Sequence, residues 1–177
     1  MATPLDNIND GHEFQRIVAE YFRSLKENNH EFHISDINVN DSGVGCDDGC
    51  DILVEFHFEG VIRKETQRWV IECKCWDRAV GPNDINIGRI SGILKANNAN
   101  GYLLICKKDA TSALKRDFEK INSNQTNEKY EIWTGSNLWR RFVKRESLMM
   151  AFFKEFYGSE KRNFDLMYKK MEEMYKK

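Results

Sequence analysis

"RWVIECKCW", residues 68–76, decides how this chain is read. Trp69, Ile71, Cys73 and Cys75 fall on one side of an extended strand, and Val70, Glu72, Lys74 and Trp76 on the other, because successive strand residues point to opposite faces. Glu72 and Lys74 therefore share a face, roughly 7 Å apart along the strand. Charges inside an otherwise apolar strand mark either a solvated face or a chemical task.

Upstream, "DILVEFHF" at 51–58 alternates in the same way. Ile52, Val54, Phe56 and Phe58 take one face, and Asp51, Leu53, Glu55 and His57 the other. The two runs predict an antiparallel hairpin with a loose turn. A hairpin centred near Ile62 and Arg63 sets Asp51 across from Lys74 and diagonal to Glu72, within reach of long side chains. A tight turn at Glu59–Gly60 would instead set Asp47 opposite Glu72. In "GVGCDDGCDILVEF" (43–56) the glycines at 43, 45 and 49 make the approach turn, with Gly49 expected at positive φ.

On the first register two carboxylates and an ammonium converge. Two unpaired carboxylates at close range repel, and burying them is costly. A hard divalent cation, Mg²⁺ or Mn²⁺, resolves the conflict through carboxylate oxygens and water. Such an ion lowers the pKa of a bound water and stabilises charge on a phosphoryl oxygen. Lys74 would orient that water and balance developing charge. The residues alone leave a plainer reading open: Asp51 as a turn residue and Glu72–Lys74 as a solvated strand face.

Working outward, "GHEFQRIVAEYFRSLKENN" (11–29) places Phe14, Ile17, Val18, Tyr21, Phe22 and Leu25 at helical spacing. Asp10 is its expected N-cap, with Glu13 as capping-box partner. "EFHISDINV" (31–39) predicts a strand with Phe32, Ile34 and Ile37 inward. Beyond the hairpin, residues 81–101 predict a helix, with Pro82 near its start and Gly101 just past its end. "YLLIC" (102–106) reads as a fully apolar strand. "TSALKRDFEKIN" (111–122) reads as a helix capped by Thr111 or Ser112, and "KYEIWTG" (129–135) as a last strand. Helices follow in "SNLWRRFVKRE", "SLMMAFFKEFYG" and "KRNFDLMYKKMEEMYKK". Trp133, Trp139, Phe152 and Phe153 are expected in the core. The order predicts an α/β fold, a mixed sheet flanked by helices with additional C-terminal helices. Residues 1–157 form the expected domain, and 158–177 a charged helical tail or linker.

These segments, taken in order, resemble the catalytic domain of Mrr-type restriction endonucleases, in the PD-(D/E)XK nuclease superfamily. The resemblance rests on "GHEFQRIVAEYF", then "GVGCDDGCDILVEF" with its D-x-G-x-D turn (Asp47, Gly49, Asp51), then "WVIECKCW" with E-x-K, then "ISGILKANNANGYLLIC". It covers roughly residues 11–122. It implies a restriction-endonuclease-like fold with Asp51 and Glu72 as metal ligands, Lys74 as the catalytic lysine and Glu13 as an accessory acid. The chain departs from the pattern at three points. Cys50, not Pro, precedes Asp51. Gln15 follows Phe14 where many relatives have Glu. Glu72 stands where many Mrr-type members carry Gln.

A nuclease must also hold its substrate. Residues 1–59 carry 13 acidic and 3 basic side chains, whereas residues 60–177 carry 15 acidic and 24 basic. The second part can therefore present a basic surface although the whole chain is near neutral, at −1. Arg78 follows the motif strand. Lys107, Lys108, Ser112, Lys115 and Arg116 surround a helix start, where backbone N–H groups favour phosphate. Arg140, Arg141, Lys144 and Arg145 form a second basic run. Phosphate contacts of this kind position a duplex without reading its sequence.

Several classes are disfavoured. The spacings Cys46/Cys50 and Cys73/Cys75 are not zinc-ribbon pairs, and five cysteines without a secretory signal argue for reduced thiols. The Asp-rich turn lacks the closing Glu of an EF-hand, and no Walker loop is present. No apolar run is long enough for a membrane span. The expected function is Mg²⁺- or Mn²⁺-dependent cleavage of DNA by a cytoplasmic endonuclease. The resemblance adds a role in restriction or antiphage defence, and the need for two sites in double-strand cutting adds a homo-oligomer. A sensor or NTPase module is a further expected partner if the chain serves a larger assembly. The alternative is a catalytically inactive nuclease-fold module for nucleic-acid binding or assembly.

Overall fold

The structure is a computed structural model that describes residues 3–26, 34–41, 49–60, 62–124 and 127–159. Helix α1 spans Gly11–Ser24. The Asp10 carboxylate caps it by accepting from the His12 N–H at 2.9 Å. The expected capping-box bond from Glu13 is absent among the described residues. Strands β1 (Ile34–Asp41), β2 (Ile52–Glu59) and β3 (Lys64–Lys74) follow, and then α2 (Ile87–Ala96), β4 (Gly101–Cys106), α3 (Ser112–Ser123) and β5 (Lys129–Trp133). Helices α4 (Gly135–Phe142) and α5 (Glu146–Phe152) come last, with a further helical stretch at 154–159. Phe32, Cys46, Asp47 and most of the charged tail lie outside the described residues.

The five strands lie side by side in chain order. β1, β2 and β3 are antiparallel neighbours, and β3, β4 and β5 are parallel. This follows from the connections. Two adjacent antiparallel strands need only a short turn, whereas each parallel pair needs a crossover, here α2 and then α3. β4 is buried along its whole length, as a central parallel strand must be.

Helices cover both faces. Phe14, Ile17, Val18 and Phe22 of α1 pack with Leu138 and Phe142 of α4 against Ile52, Val54, Ile71 and Ile105. On the other face Ile90 and Leu94 of α2 and Leu114 and Phe118 of α3 pack on Val70, Tyr102 and Leu104. Trp133, Trp139, Phe152 and Phe153 belong to the first cluster, as expected.

The hairpin register differs from both expectations. Ile52 pairs with Ile71 and Glu59 with Lys64, and Gly60 N–H closes the turn on the Arg63 carbonyl at 3.1 Å. β2 thus sits two residues from the register that sets Asp51 across from Lys74. A slip of two residues keeps every side chain on its expected face, so Ile52 and Ile71 stay in the core and Glu72 stays on the α2 side. The helix between β3 and β4 is also shorter than expected. Pro82–Asp84 is a separate 3-10 turn, α2 begins only at Ile87, and Asn98 takes the left-handed conformation after its end (φ 49°). Gly101 opens β4 instead of capping the helix. A Cβ there would lie 2.5 Å from the Trp69 ring, so only glycine lets the two strands approach.

Candidate active site

The site forms where β2 begins and β3 ends. Gly49 turns the chain into β2 at φ +78°, as the sequence predicts. A Cβ on it would come within 3.2 Å of Ile93 Cδ1 and 3.4 Å of Glu72 Oε2. The turn is thus pressed between α2 and the Glu72 carboxylate. Asp51 comes next. Its N–H donates to the Ile71 carbonyl at 2.9 Å, and its Oδ2 accepts from the Cys73 N–H at 2.6 Å.

Glu72 is buried, with 8 % of its surface exposed. Its Oε1 pairs with Lys74 Nζ at 2.6 Å, and its Oε2 accepts a hydrogen bond from the Tyr102 hydroxyl. Lys74 Nζ also lies 5.3 Å from the Trp76 ring centroid, and Arg78 stacks on the same ring at 4.4 Å. These contacts hold the ammonium beside the carboxylate at the carboxyl end of β3. Crevices at strand carboxyl ends are where open α/β sheets take their ligands.

The electrostatics are set first by burial and then by the neighbouring charges. Burial raises the Asp51 pKa above its ordinary value, and the charge of Glu72 adds to the rise. The Cys73 N–H bond and Lys74 oppose it. Burial likewise drives the Tyr102 hydroxyl far above its usual range, with Glu72 reinforcing the shift. Tyr102 therefore remains a donor at any ordinary pH. Sequence reading missed it, because in "YLLIC" it looks like one more core residue.

α1 touches the site through Gln15, not through Glu13. Gln15 Nε2 donates to the Asp51 carbonyl and to Asp41 Oδ1, both at 2.8 Å. Glu13 is exposed in the first turn of α1, where its charge is felt at Cys75. Only the departure already visible at position 15 hinted that this helix contributes an amide here.

Among the described residues no group of three or more His, Cys, Asp or Glu side chains gathers as a metal site. The donors at hand are the pair Asp51 and Glu72. Mg²⁺ suits such a set, because it commonly takes one or two carboxylates and completes its shell with water and substrate phosphate. Burial first, and the Glu72 charge after it, raise the Asp51 pKa, and a cation would offset both.

The segment after β4 lies along the one after β3. Lys107 N–H donates to the Lys74 carbonyl, Val80 N–H to Asp109 and Thr111 N–H to Val80, all at 2.9 Å. The basic residues expected to hold phosphate thus gather at the sheet end that carries Lys74, but they are not equivalent. Lys107 is a correction. It is 2 % exposed, and its Nζ is fixed by the Ile8 carbonyl and by Asp77, each at 2.8 Å. It ties the N-terminal segment to the core and faces no solvent. Lys108 pairs with Asp6. Lys115 pairs with Asp109 at 2.8 Å, and Arg78 is bidentate on Asp84 at 2.7 and 2.8 Å. Arg116 is exposed and makes no ion pair with another described residue, and Ser112 is exposed at the first turn of α3. The cap itself is Thr111, which accepts from the Leu114 N–H at 3.3 Å. In the second basic run Arg145 is buried, and Arg141 stacks on Trp133 at 4.0 Å.

Cys50, Cys73, Cys75 and Cys106 are free thiols. Burial pushes Cys73 well above its usual range and Cys106 up to about 12, so neither suits a nucleophile. No described helix is long and apolar enough to cross a membrane.

Comparison with known proteins bears on the family and the fold. The model of the restriction endonuclease family, in its Mrr catalytic-domain form, matches residues 6–142. The MspJI restriction endonuclease, solved in complex with a 27-mer oligonucleotide, shares the fold at a TM-score of 0.50 and 16 % identity, over 81 % of this chain and 31 % of that one. The DNA modification-dependent restriction endonuclease AspBHI aligns at a TM-score of 0.48 and 15 % identity, over 90 % of this chain and 41 % of its own. The chain therefore spans less than half the length of either solved chain. No curated protein sequence matches it. The matched residues include α1, the hairpin bearing Asp51, Glu72 and Lys74, and both parallel strands beyond it; the chain belongs to the restriction endonuclease family, as a Mrr-type catalytic domain.

Proposed function

We propose that this domain is a metal-dependent DNA endonuclease whose site is Asp51, Glu72 and Lys74. The observation that carries the reading is the approach of Lys74 Nζ to Glu72 Oε1 at 2.6 Å, beside a second carboxylate, at the carboxyl end of β3. Asp51 and Glu72 would hold Mg²⁺ or Mn²⁺. When bound, that ion supplies Lewis-acid stabilisation of phosphoryl charge and lowers the pKa of water. Lys74 is an ammonium with three donors. Pairing with Glu72 leaves it capacity to orient the attacking water and to donate to a phosphate oxygen as negative charge develops. Glu13 stands as an outer acid on the first turn of α1, and Gln15 braces the backbone of Asp51.

The substrate we assign is DNA. Family membership supports this, as does the complex of MspJI with an oligonucleotide. Lys108, Ser112, Lys115 and Arg116 would meet phosphates beside the site, with Arg78 at its rim. Cutting both strands takes two sites, which calls for a dimer or higher assembly. We assign the domain as a nuclease module that works with a sensor or NTPase module, in restriction or antiphage defence in the cytoplasm. Asp51→Ala, Glu72→Ala and Lys74→Ala should each lower cleavage by ~10²-fold or more while retaining duplex binding. Unchanged cleavage in all three would sink the site. Binding by the wild-type protein with no cleavage under Mg²⁺ or Mn²⁺ would favour an inactive nuclease-fold module.

A further inference from the structure

We infer that Tyr102 is a positioning residue for the Glu72 carboxylate, holding it in the orientation that receives the metal. The inference rests on the assignment of Glu72 as a metal ligand.

Glu72 is the most buried carboxylate of the site. A glutamate has three side-chain torsions, and a ligand must hold one arrangement of them. Lys74 alone cannot impose it, because an ammonium on a flexible stem is a point charge without directional preference. Tyr102 differs. Its ring is fully buried and fixed between Phe118 and Tyr130, with centroids at 6.1 and 6.4 Å. Its hydroxyl donates to Glu72 Oε2, while Lys74 takes Oε1. One oxygen is therefore held by a rigid donor from the neighbouring strand and the other by the lysine on its own strand. Gly49 flanks the same Oε2, which a Cβ at position 49 would touch at 3.4 Å. Partners of ligating carboxylates commonly contribute 10–100-fold to metal affinity, because they fix the ligand before the metal arrives.

The neighbours Leu103, Leu104 and Ile105 in β4 are aliphatic. A hydroxyl in that buried strand must find a partner, and β4 lies beside β3 with Val70 paired to Tyr102 and Glu72 to Leu104. Tyr102 thus has Glu72 within reach on its own face of the sheet.

The test is calorimetric binding of Mn²⁺ and of Ca²⁺ to the whole chain without DNA, for wild type, Glu72→Gln, Tyr102→Phe and Phe118→Leu. Thermal melts in chelator run alongside. Tyr102→Phe keeps the ring and removes only the hydroxyl. Its expected effect is about a 10-fold loss of metal affinity. Phe118→Leu loosens the same aromatic cluster and should lower the melting temperature with metal affinity unchanged. Glu72→Gln should bind far more weakly than either. If Glu72→Gln loses binding but Tyr102→Phe binds as wild type does, Tyr102 is structural and the inference is overturned while the site stands. If Phe118→Leu loses affinity as Tyr102→Phe does, packing explains the effect and the inference again falls. If Glu72→Gln binds metal like the wild type, the site assignment itself fails and takes the inference with it.

Discussion

Asp51 holds β3 on both sides of Glu72: its N–H donates to the Ile71 carbonyl at 2.9 Å, and its carboxylate accepts from the Cys73 N–H at 2.6 Å. Asp51 is thereby joined to the backbone on either side of Glu72, once by its own N–H and once by its carboxylate. Asp51 arrives at the end of one strand, Glu72 sits on the next, and hydrogen bonds at the hairpin's open end fix their relative position. The negative charges are gathered before any substrate is present, and the protein bears an electrostatic cost for that.

That cost has a pH signature in the metal-free protein. Burial, with Glu72 adding to it, raises the folded-state pKa of Asp51 above its ordinary 3.8. The folded protein then binds this proton more tightly than the unfolded chain does. The associated stability is present below the ordinary value and is lost as pH rises through the raised one. Asp51→Asn keeps an oxygen to accept from Cys73 and carries no charge. In chelator it should melt above wild type near pH 7, with the advantage vanishing near pH 3. A lower melting temperature at pH 7 would contradict the assigned strain.

Gly49→Ala tests the turn. Alanine at φ +78° is strained, and its Cβ would crowd Ile93 Cδ1 at 3.2 Å and touch Glu72 Oε2 at 3.4 Å. The expected loss is about 1–3 kcal/mol, read by denaturant unfolding, together with weaker metal binding. A loss of stability with metal affinity intact would mean that the turn does not shape the site.

Lys107 and Arg116 separate structure from substrate contact. Lys107→Ala removes two hydrogen bonds from a buried ammonium and should cost about 2 kcal/mol of stability. DNA affinity measured below the melting point should not change. Arg116→Ala should leave stability unaltered and reduce the salt slope of DNA binding by about 1. The opposite pattern would place the DNA elsewhere.

Arg78 is already engaged by Asp84, whose pKa the pair holds down at about 2. Asp84→Asn leaves the guanidinium free to meet phosphate. Binding at low salt should tighten by a few-fold, an effect that salt erases. No change at low salt would remove Arg78 from the interface.

Much of this fold was legible because strand periodicity is a local signal. The alternation in 51–58 and 68–76 set which face each residue takes, and a two-residue error in register left those faces unchanged. The register itself depends on how Gly60 and Arg63 close the turn, which alternation does not encode. Glu72 and Lys74 were visible because two charges stand in an apolar strand. Tyr102 and Gln15 were hidden for the converse reason. Each has unremarkable neighbours, and each meets the site only through packing between elements far apart in sequence. Lys107 was misplaced because charge suggests solvent, whereas the Ile8 carbonyl and Asp77 satisfy it inside.

The most direct measurement is incubation of the wild-type protein and Lys74→Ala with supercoiled plasmid, in Mg²⁺, in Mn²⁺ and in chelator. A metal-dependent nuclease built on Asp51, Glu72 and Lys74 converts the plasmid to nicked or linear form only with metal. The variant, folded and still binding DNA, does so at least ~10²-fold more slowly. Equal cleavage by both proteins, or cleavage that persists in chelator, would contradict it.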